Sequence, residues 1–309
     1  MSLALLLGAC EMKFEIKDVD GEDRIYIECT ASTLSDVSEI TVVGVRSINK
    51  PAQDYRTPAG LQVRMTIDGK EVDIIPSETN VNEERFIYEG AVEPGQKIRI
   101  DASADGYASA YAETKVPYPV EDFDVRLEEL GQEHYRLVLE YPDDPKTTDM
   151  YGAFFMTRKV RESADGTVSL YESEQYGRFV HESDDFDVST MRFMDYDGVE
   201  MAVWNDSRAV SGGRQSVEFQ IKRNKDYEHN ISNYFGEDKA MMRPQYRLLL
   251  LKLSPEYYRY LNGQWDSNNN ILSWVGLSAA TFTYTNVIGG LGVLGSFTAS
   301  PSEWLYNIY

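Results

Sequence analysis

The chain has 309 residues, of which 42% are hydrophobic and 12% aromatic, enough for a packed core and too many for a disordered protein. It carries 51 Asp and Glu against 30 Lys and Arg, which gives a formal net charge of −21 at pH 7. This balance excludes nucleic acid as a partner, because phosphate backbones are bound by clustered Lys and Arg. It also disfavours docking on anionic lipid through a basic patch. The length predicts two domains, at roughly 150 residues each.

The first ten residues form a distinct segment. Residues 3–10 are an apolar run that ends in Leu-Gly-Ala-Cys, and Cys10 is one of only two cysteines. This ending resembles the lipobox of bacterial lipoproteins, although the run is short and no Lys or Arg precedes it. The resemblance implies cleavage before Cys10 and anchoring through several acyl chains on that residue. The alternative is an ordinary cysteine in a frayed apolar N-terminus.

After a signal remnant and polar tether at residues 1–22, residues 23–118 have the pattern of a β-domain. Apolar and polar residues alternate from Leu61 to Ile67, and Asp68-Gly69 then predicts a hairpin turn. A Pro-Gly pair leads into a further alternating strand at residues 97–100. The segment resembles a β-sandwich of the transthyretin or immunoglobulin type. Two prolines near its end predict a domain boundary at about residue 118.

Residues 119–309 are predicted to form a larger β-rich domain. Alternating or continuous apolar runs at 135–141, 151–160, 217–221 and 246–253 each predict a strand. A helix near 254–264 is expected to begin with Ser254 at the N-cap and Pro255 at the first helical position, and to end at Asn262-Gly263. The predicted fold class is therefore mainly β, with one short helix.

No pattern in the sequence supports a cofactor, a metal site or a catalytic residue. Residues 290–295 match G-x-G-x-x-G, but the helix and the later acidic residue of a dinucleotide site are missing, so we interpret the run as structural. The three histidines are far apart, and the acidic loops at 184–187 and 195–198 do not complete a calcium loop. Cys29, in a predicted strand, is interpreted as a buried, inert thiol.

Aromatic residues cluster in and after the predicted helix. Tyr257, Tyr258, Tyr260 and Trp265 lie within nine residues. One interpretation is packing of the helix on the sheet, since Tyr257 and Tyr260 share a helical face. The other is a binding surface for a sugar ring or a partner protein, because Tyr and Trp are enriched at such surfaces.

The sequence resembles a known family over nearly its whole length. The most specific element is the string Asn-Val-Ile-Gly-Gly-Leu-Gly-Val-Leu-Gly at 286–295, preceded by the lipobox, the sandwich-like segment and the Ser-Pro-Glu-Tyr-Tyr helix start at 254–258. These features are similar to those of Bacteroidetes outer-membrane lipoproteins known only as a domain of unknown function. The genes of that family often lie beside TonB-dependent receptors. The resemblance supplies no catalytic residues.

These observations lead to one favoured function and two alternatives. We expect an outer-membrane lipoprotein that binds a small molecule, peptide, glycan or protein without catalysis, with a TonB-dependent receptor as candidate partner and the N-terminal lipid as its membrane contact. The side of the membrane on which it lies is left open. The alternatives are a structural or adhesive surface subunit and a glycan-acting hydrolase.

Overall fold

The architecture is that of a computed structural model, which describes residues 23–45, 58–77, 84–144, 146–163, 165–180, 192–196, 199–206, 213–223, 241–268 and 284–306. In chain order its elements are β1 (Arg24–Ser32), β2 (Val37–Val45), β3 (Gln62–Ile67), β4 (Lys70–Val72), β5 (Ile75–Ser77), β6 (Glu84–Glu89), β7 (Lys97–Ser103), β8 (Ala110–Lys115), β9 (Asp124–Leu130), β10 (His134–Asp143), β11 (Met150–Glu162), β12 (Val168–Tyr176), β13 (Arg192–Tyr196), β14 (Val199–Asn205), β15 (Gly213–Lys222), β16 (Met241–Leu253), α1 (Pro255–Asn268) and β17 (Leu291–Pro301). Within these described ranges, the prediction of a mainly β protein with one short helix is confirmed.

A ten-stranded sheet runs through the molecule. Its strand order is β13-β14-β11-β16-β17-β1-β2-β6-β5, and β12 pairs with β11 beside this path. Strand β16 lies near the middle, antiparallel to both β11 and β17. Its segment from Leu248 to Leu251 is buried on both faces. Burial on both faces explains the continuous apolar run in the sequence, because a strand covered on both sides has no alternating polar positions.

Two smaller sheets cover one face of the large sheet and give the molecule its sandwich-like layers. The four-stranded sheet β4-β3-β7-β8 packs on β1 and β2, with Ile100 and Ile27 in the shared core. The three-stranded sheet β15-β10-β9 packs on β11 and β16, with Leu137 and Leu250 in a second core. Alternate residues of each strand point into these cores, as the period-2 patterns predict.

The predicted hairpin between β3 and β4 is confirmed. Asp68 and Gly69 both have positive φ, 50° and 76°, as the tight turns that match the twist of paired strands require. The Asp68 carboxylate accepts a hydrogen bond from the backbone N–H of Lys97 at 2.9 Å. This hydrogen bond joins the turn to β7, which is also the strand that pairs with β3.

Helix α1 packs on the opposite face of the large sheet, over a third core formed mainly by β16 and β17. It begins at Pro255 as predicted, but it continues to Asn268, so the predicted end at Asn262-Gly263 is wrong. Glycine costs a helix interior about 1 kcal/mol relative to alanine, which is a weak stop signal. Packing of Trp265 against the third core offsets that cost and extends the helix.

The last strand connects the two halves of the chain. Strand β17 lies between β16 and β1, antiparallel to the first and parallel to the second. Val287 and Leu294 belong to the same core as Ile25 and Ile98 of the N-terminal half. The division into 23–118 and 119–309 stays a prediction, and the large sheet is continuous across it.

Candidate functional site

The helix start is fixed by one buried serine. Ser254 is fully buried, and its Oγ accepts hydrogen bonds from the backbone N–H of Tyr257 at 3.3 Å and of Ser296 at 3.1 Å. The backbone N–H of Ser254 in turn donates to the Ser296 carbonyl at 2.8 Å. An N-cap hydroxyl normally serves only its own helix. Here it also ties the helix to β17, which sets where the aromatic residues of α1 lie.

The four aromatic residues predicted as a binding surface do not share one exposed face. Tyr257 and Tyr260 are buried, and the Tyr257 ring stacks on Phe297 at a centroid distance of 6.1 Å. Tyr258 and Trp265 are half-buried, and the Asn205 side-chain amide donates to the Tyr258 hydroxyl at 2.5 Å. The packing interpretation therefore describes Tyr257 and Tyr260, and only Tyr258 and Trp265 keep part of a ring towards solvent.

Tyr260 nevertheless reaches a polar cluster between the helix and β1. The Glu28 carboxylate accepts hydrogen bonds from the hydroxyls of Tyr26 at 2.5 Å and Tyr260 at 3.3 Å. The Gln264 amide donates to the Tyr260 hydroxyl at 2.7 Å. Burial, followed by the nearby Glu28, raises the pKa of Tyr26, and burial also raises the pKa of Tyr260. Both phenols stay protonated at neutral pH and hold Glu28 as a hydrogen-bond acceptor.

Glu28 also lines an open groove of about 620 Å³ on the outer face of the large sheet. Thr41 lies directly opposite Glu28 on β2, and the neighbouring Glu39 pairs with Arg85 of β6 at 3.0 Å. Tyr176 from the distant strand β12 contributes an exposed ring to the same groove. Carboxylates, a guanidinium and hydroxyls offer both acceptors and donors, and the ring adds an apolar surface.

No pattern in the sequence indicates this groove. Glu28, Glu39 and Thr41 occupy the alternate polar positions of β1 and β2, which is the pattern of an ordinary solvated strand face. Cys29, the residue after Glu28 on β1, points to the opposite face of the sheet and is buried in the first core. Burial raises the pKa of its thiol to about 12. The predicted burial of Cys29 is confirmed, and its lack of reactivity stays a prediction. The groove becomes visible only when Tyr176 is placed across from these residues.

A second cavity of about 610 Å³ lies on the outer face of the four-stranded sheet. Its charged groups already satisfy one another. Arg99 contacts Asp101 at 2.5 Å and Glu113 at 3.2 Å, and its guanidinium lies 4.0 Å from the centre of the Tyr111 ring. These ion pairs hold the pKa of Asp101 below its usual range, chiefly through Arg99. The surface is therefore a closed charge network, and the groove of Glu28 is the better candidate site.

The glycine-rich string at 290–295 has a structural role. Gly292 has a φ of 102°, and a Cβ there would collide with the Ile27 carbonyl of the adjacent strand. A Cβ on Gly295 would meet the Tyr257 ring at 2.6 Å. The Asn286 side chain pairs with Leu294, accepting from its N–H at 3.0 Å and donating to its carbonyl at 2.9 Å. The string lets β17 pass between β1 and the helix, as the structural interpretation predicts.

Several sequence predictions lie outside the described residues. They are the lipidated Cys10 and tether at 1–22, the acidic loop at 184–187, and two of the histidines. Within the described ranges, no helix has the length and apolar character needed to cross a bilayer. In the same ranges, no three His, Cys, Asp or Glu side chains converge in a way that could ligate a metal.

The family model for "Domain of unknown function (DUF4249)" matches residues 11–302, so the chain belongs to that family. The predicted membership of a family known only as a domain of unknown function is confirmed. No curated protein matches the chain. A solved structure named BspA_C_mut is similar over 76% of this chain and 95% of that one, at 9% identity. Its TM-score of 0.20 is too low to indicate a common fold.

Proposed function

We propose that this protein is an outer-membrane lipoprotein, anchored through acylated Cys10, that acts as a non-catalytic binding accessory to a TonB-dependent transporter. Its ligand or partner segment occupies the groove lined by Glu28, Glu39, Thr41 and Tyr176. The observation that carries this proposal is the groove itself. It is open, it is built on paired strands, and it offers polar groups beside an exposed aromatic ring.

The groups of the groove are arranged for recognition. Glu28 is fixed by two phenol donors, and Glu39 is fixed by Arg85. Side chains held in this way present their remaining lone pairs and N–H groups in set positions, which lowers the entropy cost of binding. Resemblance to lipoproteins encoded beside TonB-dependent receptors supports the choice of partner, and the lipobox-like ending at Cys10 supports the anchor.

The test is site-specific photocrosslinking with the full-length protein in its own cells. A photoreactive residue replaces Val37 in the groove, and the control replaces Val168 on β12; the two valines are similarly exposed, 49% and 54%. We expect a discrete crosslinked product at Val37, none of that size at Val168, and loss of the product when Thr41→Trp fills the floor. Equal products at both positions, or none at Val37, would contradict the proposal.

The anchor is tested in the same cells by fractionation. Cys10→Ala should release the protein from the membrane fraction and abolish incorporation of labelled palmitate. Continued membrane association of this variant would show that the anchor lies elsewhere. A ladder of products at multiples of the chain's own mass from Val37 would instead favour the structural, self-assembling alternative.

A further inference from the structure

Two arginines on the outer face of the large sheet lack the close carboxylate that other arginines have. Arg158 of β11 has only Glu174, at 3.8 Å, and Arg247 of β16 makes no ion pair within the described residues. The comparison is with eight arginines that each have a carboxylate oxygen within 3.3 Å: Arg64, Arg85, Arg99, Arg126, Arg136, Arg214, Arg223 and Arg243. In a chain of net charge −21, it is unexpected that two arginines on neighbouring strands have a single carboxylate in the described part of the chain, at 3.8 Å from one of them.

Both guanidiniums lie against one indole ring. The centre of the Trp304 ring is 4.1 Å from the guanidinium carbon of Arg158 and 4.5 Å from that of Arg247. Contacts of this length are favourable cation–π interactions, but they do not supply a counter-charge. The Nε–H of Arg247 is buried and has no hydrogen-bond partner among the described residues. Trp304 thus works as a support that both cations contact.

Hydrogen bonds hold the segment that carries Trp304 and the Arg158 side chain. Leu305 exchanges two backbone hydrogen bonds with Tyr246, at 2.8 and 2.7 Å, which fixes the segment that carries Trp304. The Gln245 amide oxygen accepts from Arg158 Nε at 2.8 Å, and Gln245 is itself buried, with 7% of its surface exposed. Arg158 is also three-quarters buried, since 25% of its side chain is exposed. The two arginines are therefore positioned before any ligand arrives.

Arg158 and Arg247 are like charges that act on each other. Burial is the main effect that lowers the pKa of Arg158; Glu174 opposes it by raising the pKa, and the positive charge of Arg247 lowers the pKa by a smaller amount. The contact to Glu174 is longer than a charge-assisted hydrogen bond, which is about 2.7–2.9 Å. Two partly buried like charges close together destabilise the folded protein, and a bound anion would remove that penalty.

From this geometry we infer that Arg158 and Arg247, held on Trp304, form a binding site for a single oxyanion group, a carboxylate or a phosphate. Guanidinium groups match both of these through paired N–H···O hydrogen bonds. Glu174, 42% exposed and 3.8 Å from Arg158, is the internal competitor of the anion. The site is separate from the groove of Glu28, and the inference does not depend on the proposed function.

The test is a titration of the purified full-length protein with sodium acetate and with sodium phosphate, each against sodium chloride at matched ionic strength. Tryptophan fluorescence and the melting temperature report binding, and Trp304→Phe identifies the fluorescence change as that of Trp304. We expect a saturable response to at least one oxyanion and none to chloride. The stronger of the two arms identifies the ligand group as carboxylate or phosphate. An equal response to chloride would overturn the inference.

Variants assign the response to the two arginines. Arg247→Gln should weaken oxyanion binding by about tenfold or more, while Arg136→Gln, which removes an ion-paired arginine of β10, should leave it unchanged. Glu174→Gln removes the competitor and should strengthen binding a few-fold, and this exposed substitution leaves the core intact. Its matched control is Glu128→Gln, since Glu128 is also 3.8 Å from an arginine and 45% exposed. Equal effects within either pair would overturn the inference.

Discussion

At the scale of single residues, the protein depends on positions where a side chain would not fit or could not ionise. Gly292 and Cys29 both lie where β17 pairs with β1. Gly292 is paired with Ile27, and Cys29 is paired with Leu294 two residues further on. The packing around the glycine-rich string at 290–295 explains its glycines without implying a nucleotide. The groove residues could not be predicted in this way, because Glu28 and Thr41 look like any solvated strand positions until Tyr176 lies opposite them.

Replacing Gly292 with alanine should destabilise the fold strongly. The new Cβ would meet the Ile27 carbonyl, a backbone atom that cannot move without breaking the β1–β17 pairing, and the φ of 102° is strained for any L side chain. We expect a loss of at least about 3 kcal/mol in the free energy of unfolding, measured by urea denaturation.

The matched control is Gly131→Ala in the turn between β9 and β10. Gly131 also has a positive φ, 69°, but nothing lies within 4 Å of its Cβ position. Only the backbone strain remains there, about 1–2 kcal/mol. If the two substitutions lower the free energy of unfolding equally, the close approach of β1 is not the reason that position 292 requires glycine.

Cys29 should be unreactive in the folded protein. Burial, with Glu28 and Glu39 nearby, raises the pKa of its thiol to about 12, so thiolate is scarce at pH 8. In a Cys10→Ser protein, we expect almost no labelling by iodoacetamide until denaturant is added. Rapid labelling of the folded protein would contradict the buried position of the thiol.

The same shift predicts a pH dependence of stability. Because the folded pKa is raised above the ordinary thiol value of about 8.5, the folded state holds this proton more tightly than the unfolded state. The stabilisation is complete below the unfolded pKa and is lost as pH rises towards 12. Compared with a Cys29→Ala protein, the wild type should lose more stability between pH 8 and 11.

At the scale of elements, the local patterns were sufficient for most strands and for the helix start, and insufficient for long-range pairing. Strand β10 was predictable because burial of one face forces alternation from Tyr135 to Tyr141. The parallel pairing of β1 with β17 was not, because no local signal links strands from opposite ends of a chain. The end of α1 was missed because Trp265 packs against other elements, which Gly263 does not reveal.

Asn286 should be necessary for the entry into β17. Its amide makes hydrogen bonds with the Leu294 N–H, the Leu294 carbonyl and the Glu113 carbonyl at 3.0, 2.9 and 3.1 Å. Asn286→Ala should cost about 2–4 kcal/mol of unfolding free energy. Each lost hydrogen bond contributes about 1 kcal/mol, and its loss also leaves the backbone partner without a hydrogen bond. Asn286→Asp should cost as much or more, because a carboxylate cannot donate to the two carbonyls. An aspartate variant as stable as wild type would contradict this assignment.

At the scale of the whole molecule, the N-terminal half should not be stable without the C-terminal strand. Removal of β17 would uncover one edge of β1 and take Val287 and Leu294 out of the first core. We expect the fragment 23–118 to lack a cooperative unfolding transition in calorimetry. Adding a peptide spanning residues 284–306 should restore it in part.

The outcome that would contradict this prediction is a fragment 23–118 that melts cooperatively on its own. Such a result would support the predicted domain division. It would show that the β-sandwich of residues 23–118 folds without β17. A peptide with Gly292→Ala is the control, because it differs from the added strand by one methyl group but cannot approach Ile27.

The parallel pairing of β1 with β17 also sets an order of events during biosynthesis. Strand β1 is made before all other described strands, and its partner β17 is made after all of them. Contacts of such long sequence separation form slowly, because closing the chain costs entropy before they are gained. The growing chain therefore cannot complete its large sheet until β17 has been made, and a chain terminated before β17 is left with an open edge on β1. Such an edge is a target for proteolysis or aggregation.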